Sequence, residues 1–170
     1  MTKKFQKYFS IPSLLSLILW PELVGVLITV IILTSSYAWY NGLSMPVFYT
    51  RSYLYGIIWL FVYPVMAAAL YIASAKRRNT DMRIAYALFV AAVILPLINA
   101  ALFWQFHLIV LATEIMILEL IAVMGLTVNL WNLSPRSSGL LILVILWIMF
   151  WITIEVLIIE LNGFLLTSIR

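Results

Sequence analysis

The stretch "SYLYGIIWLFVYPVMAAALYIASAKRRNTD", residues 52–81, decides how the rest of the chain is read. From Ser52 to Ala75 it carries no charge, and the basic cluster Lys76-Arg77-Arg78 then closes it. An uninterrupted apolar run of about 20 residues or more has the length of a helix crossing a bilayer. In hydrocarbon the backbone must satisfy its own hydrogen bonds, which leaves the helix as the only single-segment solution. Lys and Arg directly after such a run belong at a headgroup surface. The segment is therefore a membrane span with a basic end.

The surrounding composition agrees. The chain has 170 residues, of which 66% are hydrophobic and 9% charged. A soluble domain carries about a quarter charged residues, so a soluble fold is excluded. The net charge of +4 comes from basic residues beside apolar runs, which fits lipid headgroups rather than nucleic acid. Without cysteine there is no disulfide and no thiolate metal site. The start, "MTKKFQKYFS", has the charge of a signal peptide, but no small-residue cleavage pattern follows, and mature sequence is expected.

Five spans are predicted, at about 22–38, 52–75, 83–106, 107–131 and 140–161, giving an all-α integral membrane protein built as a five-helix bundle. Residues 1–20 form a basic interfacial segment, 21–162 the membrane domain and 163–170 a tail. Pro21 and Glu22 suit the first turn of the first span, since Pro lacks a donor and Glu faces the positive helix end. Gly163 suits the end of the fifth. The connection at "WQFHL" is so short that the third and fourth spans must form a tight hairpin. With five spans, eight basic residues (Lys3, Lys4, Lys7, Lys76, Arg77, Arg78, Arg83, Arg136) share one side and two (Arg51, Arg170) the other. That asymmetry predicts a cytoplasmic N-terminus, an outside C-terminus and an outer first loop.

Six acids remain to be placed. Asp81 falls in a loop, and Glu22 and Glu160 near helix ends, where a solvated role is expected. A carboxyl at membrane depth is costly and needs a partner. Glu114 and Glu155 each sit roughly 10 Å from the outer end of a span. They are expected to line a polar pocket under the first loop, with Arg51 above as counter-charge. The alternative is a protonated carboxyl bonded to a neighbouring helix, and this is preferred for Glu119, near midplane. Trp59 and Tyr63 are four residues apart and share a helix face, as do Trp147 and Trp151. Tyr8, Trp20 and Trp131 suit the membrane interface. The lone His107 is assigned an interfacial role, no metal site is expected, and one His without Cys leaves no convincing catalytic set.

Three motifs in order also carry a resemblance. Trp39, Tyr40, Leu43 and Pro46, with Phe48 for a later tryptophan, are followed in register by Gly56, Trp59, Tyr63 and Met66. Asn99 falls in the third span before an aromatic hairpin. Ser134-Pro135, Leu140-Leu141, Trp147, Phe150 and Asn162 complete the pattern. Over about residues 20–162 the chain resembles the TspO/translocator protein family, the tryptophan-rich sensory proteins and peripheral-type benzodiazepine receptors. Thr50-Arg51 stands where that family has Pro-Pro, Glu155 where it has Asn, and Leu130 where it has Trp. Glu114 lies within one position of a common acidic residue.

The resemblance implies a receptor or carrier for a flat hydrophobic ligand: a porphyrin or haem, a sterol, or an isoquinoline-like compound. It also implies tetrapyrrole or stress sensing, and a homodimer. The ligand set it implies joins Trp39, Pro46, Phe48 and Arg51 of the loop to Trp59, Tyr63, Asn99, Trp147 and Phe150, beside Glu114 and Glu155. No cofactor is required, and no enzymatic activity is expected. Two other classes compete: a membrane interaction subunit without a small-molecule site, and a small proton-coupled transporter, against which the lack of an internal repeat argues.

Overall fold

The computed structural model describes residues 11–35, 37–48, 51–76 and 82–163. The described residues form helices only: α1 (Ile11–Thr34), the short α2 (Tyr37–Asn41), α3 (Ser52–Lys76), α4 (Arg83–Ala100), α5 (Ile109–Trp131) and α6 (Pro135–Leu161). A π-helical turn, Ala101–Gln105, extends α4. Five of these helices are long and apolar enough to cross a membrane. They close into a ring in which α1 packs on α3, α3 on α6, α6 on α5, α5 on α4 and α4 on α1. Large apolar side chains such as Leu23, Phe61, Val128 and Leu143 point outward, as lipid-facing residues do.

The first helix differs from expectation. It begins at Ile11 rather than at Pro21, so Pro21 and Glu22 lie mid-helix and residues 11–20 are not a separate interfacial segment. Pro64 and Pro96 likewise sit inside α3 and α4. A proline removes one backbone bond, but inside a membrane bundle packed neighbours hold the helix on both sides of the defect. The same helix stops at Thr34, where the Thr34 and Ser35 hydroxyls donate back to Val30 and Ile32 carbonyls at 2.8 and 2.6 Å. Residues 37–41 then form α2, outside the span. At the other end of the chain α6 starts at Pro135, five residues earlier than expected, because proline is pre-organised for a first helical turn. Gly163 ends it as expected, with φ +67°.

The contact between α1 and α3 depends on a small residue. A Cβ on Gly56 would meet Thr29 Oγ1 at 2.9 Å and Thr29 Cα at 3.0 Å. Close backbone approach through small residues is the usual means of helix association in lipid, where no hydrophobic force drives it. Residues 1–10 and 164–170, including Tyr8 and Arg170, lie outside the described residues.

Candidate functional site

The inner face of α3 presents Tyr55, Trp59 and Tyr63, one turn apart and all fully buried. Tyr55 meets Trp59 edge-on at 6.2 Å, and Trp59 meets Tyr63 at 5.3 Å between ring centroids. From α6 the buried Trp151 lies 4.3 Å from Tyr55, and Trp147 stacks 6.4 Å behind it. Tyr55 was not singled out from sequence. Extending the Trp59–Tyr63 spacing back one turn would have found it.

One polar residue ties this wall to the other helices. Asn99 of α4, fully buried, accepts a hydrogen bond from Tyr55 Oη at 2.8 Å. Its amide nitrogen donates to the Ala112 carbonyl of α5 at 3.0 Å and to Glu155 Oε1 of α6 at 2.9 Å. Trp151 Nε1 donates to the same Glu155 oxygen at 3.0 Å. Tyr63 Oη donates across to the Val93 carbonyl of α4 at 3.1 Å. Four helices thus share one hydrogen-bonded layer.

The layer is not closed on itself. Among the described residues, Glu155 Oε2, both carboxyl oxygens of Glu119, and Trp59 Nε1 are buried without a well-formed hydrogen bond, although Thr113 lies beside the Glu155 carboxyl and Tyr55 beside Trp59. Glu119 is therefore not bonded to a neighbouring helix, contrary to the reading preferred from sequence. It lies two turns along α5 from Ala112, on the same face and roughly 10 Å further from the loop end. Glu22 also corrects its assignment: mid-helix on α1, it buries Oε1 without a partner. Buried polar atoms are nearly always paired, so this concentration of unpaired ones calls for an explanation.

Above the layer the first loop is docked rather than loose. Tyr40, 4% exposed, packs on Trp104 at 4.6 Å and on Phe103 at 6.4 Å, both in the π-helical turn. Trp39 stacks on His107 with centroids 3.9 Å apart. His107 holds φ +59°, a left-handed backbone uncommon outside glycine, at the tight α4–α5 hairpin. Its interfacial assignment thus gains a specific partner. Asn162, after α6, forms a two-way clamp: Ser44 N donates to its Oδ1 at 2.9 Å, and its Nδ2 donates to the Ser44 carbonyl at 3.0 Å. Gln105 Nε2 donates to the Ile31 carbonyl at 3.0 Å, joining the turn to the end of α1.

The structure brings Trp59, Tyr63, Asn99 and Glu155 together, as the sequence suggested. Trp39 and the buried Pro46 belong to the docked loop, and Trp147 and Phe150 are half-buried beside the layer, 5.8 Å apart. Three expected members fall elsewhere. Glu114 is exposed, about half a helix turn away from the face carrying Met116 and Glu119. Helix rotation, which an estimate of depth does not contain, separates it from Glu155. Arg51 is exposed at the start of α3 and has no ion pair among the described residues, and Phe48 is exposed too.

The model of the TspO/MBR family matches residues 17–160, most of the chain. No individually curated protein matches it.

Proposed function

Since the chain belongs to the TspO/MBR family, a family of five-helix membrane proteins, we propose that it is a receptor or carrier for a flat hydrophobic molecule. The ligand is held against Tyr55, Trp59, Tyr63 and Trp151, beneath the first loop. One observation carries this reading: a fully buried aromatic wall adjoins carboxyl and indole atoms left without a hydrogen-bond partner among the described residues. Flat rings suit such walls, because aromatic faces provide contact area at little entropic cost. Porphyrins, sterols and isoquinoline-like compounds are the ligand classes to try, and no catalytic group is assigned. Titration of the purified protein with protoporphyrin, a sterol and an isoquinoline carboxamide, followed by tryptophan fluorescence, tests it. Quenching that disappears in Trp59→Leu supports the site, and no response to any of them at micromolar concentration overturns it.

The orientation belongs to the same proposal, with the N-terminus cytoplasmic and the first loop outside. The chain has no cysteine, so single cysteines report without background. In intact cells Val47→Cys should react with an impermeant maleimide, and Arg136→Cys should react only after lysis. The opposite pattern reverses the topology.

A second reading, as an interaction subunit, has its own support. Glu114 shares the outward stripe of α5 with Ile121, Gly125 and Val128, and the last three line a shallow groove. A lipid-facing carboxyl near a groove favours a partner helix, a second copy of this chain among the choices. Cross-linking from Val128→Cys in native membranes would reveal such a neighbour.

A further inference from the structure

The buried layer is acidic and has no base to answer it. Glu119 of α5 and Glu155 of α6 leave three buried carboxyl oxygens without a hydrogen bond among the described residues. Against them stand two unpaired buried donors beside the wall, the indole nitrogens of Trp59 and Trp147. The basic residues whose side chains are described, Arg51, Arg83 and Arg136, are all exposed. The surrounding surfaces are the rings of Tyr55, Trp59, Tyr63 and Trp151. Two carboxyl groups with unpaired oxygens thus sit beside aromatic rings, with no buried base described next to them.

A metal ion is not the natural counterpart of this set. Among the described residues no three Asp, Glu, His or Cys side chains converge closely enough to hold one. An organic cation answers both features at once. Ring faces attract cations through their quadrupoles, most strongly where water is excluded. A carboxyl that accepts from a charged donor makes a shorter and stronger bond than one between neutral groups. A ligand carrying its own carboxylates would instead bring like charge beside Glu119 and Glu155, in a setting where charge is poorly screened.

We infer that the interior layer takes a flat aromatic molecule bearing a protonated amine, in preference to a planar ring bearing carboxylates. The rings of Tyr55, Trp59 and Trp151 hold the flat part, and the amine donates to the free oxygen of Glu155, with the Glu119 carboxyl further along α5 adding to its attraction. Trp59 Nε1 is left to donate to an acceptor on the ligand. This inference rests on the receptor reading and adds to it the charge of the ligand.

Three probes that share one anthracene ring and differ only in an aminomethyl, a methyl or a carboxylate group test it. They are titrated into the full-length protein in phosphatidylcholine nanodiscs, with energy transfer from tryptophan to anthracene as the signal. The aminomethyl probe should bind about tenfold to a hundredfold more tightly than the methyl probe, the range of a charge-assisted hydrogen bond. The carboxylate probe should be the weakest. In Glu119→Gln and in Glu155→Gln the ratio of amine to methyl affinity should fall toward one, with folding checked by circular dichroism. Either variant suffices if the other fails to fold. A carboxylate probe that binds as tightly as the amine, or a preference that survives in both variants, overturns the inference and leaves the receptor reading standing. Failure of all three rings to bind overturns the inference, and the titration with protoporphyrin, sterol and isoquinoline then decides the receptor reading separately.

Discussion

Replacing Asn99 by Ala would take a partner from three groups at once: Tyr55 Oη, the Ala112 carbonyl, and Glu155 Oε1, which keeps only Trp151. A loss of about 1–3 kcal/mol in unfolding free energy is expected, the range for a buried polar group left partly unsatisfied. Thermal or denaturant unfolding in detergent measures it. Glu155→Gln is different, since Gln keeps an oxygen able to accept from Asn99 and Trp151. Its stability should change by less than about 1 kcal/mol, while its effect on ligand affinity is larger. A variant that melts early and yet binds normally would mark Glu155 as structural only. At this scale Asn99 and Glu155 were legible because any polar residue at membrane depth stands out against the apolar background. Glu114 and Glu119 changed places because sequence supplies depth along a helix but not its rotation. The face of α5 that points inward is decided by what α4 and α6 place opposite it.

Between elements, the tightest steric constraint is the crossing of α1 and α3. Gly56→Ala would drive a methyl to 3.0 Å from the Thr29 backbone, which cannot swing aside. Overpacking of this kind costs about 1–3 kcal/mol. Gly139→Ala is the control, because an added Cβ there meets nothing within 4 Å. That change should be neutral, or stabilise α6 by up to about 1 kcal/mol through helix propensity. Equal losses in the two variants would show that the α1–α3 contact is not the cause. The start of α1 was misplaced because Pro at a first helical turn is a rule learned from helices in water. In hydrocarbon, ending a helix exposes backbone groups that lipid cannot satisfy, so α1 continues through Pro21. The π-helical turn and the positive φ of His107 had no sequence signal that was recognised. Both follow from closing a hairpin between α4 and α5 with almost no loop.

Across the whole molecule, the first loop is held by residues distant in sequence, Phe103, Trp104 and His107 at the α4–α5 hairpin and Asn162 after α6. Asn162→Ala removes both bonds to Ser44, residues 118 positions apart. Amide exchange at Ser44 should rise by about tenfold or more, with global stability changed by less than about 1 kcal/mol. Unchanged exchange would mean that Tyr40 and Trp39 alone hold the loop. By itself the sequence determined that the protein lives in a membrane, that it crosses five times, and that its first loop carries aromatic residues in a family register. Those conclusions rest on local quantities: the length of apolar runs, the position of charge and the spacing of motifs. Only the tertiary structure decided that α3 and α6 are neighbours in the ring, that Asn99 joins four helices, and that Glu119 faces inward while Glu114 faces out. It also decided that Asn162 holds Ser44. Each of these is a pairing between residues far apart in the chain, and a pairing depends on the rotation and placement of two helices together, which neither sequence segment contains alone.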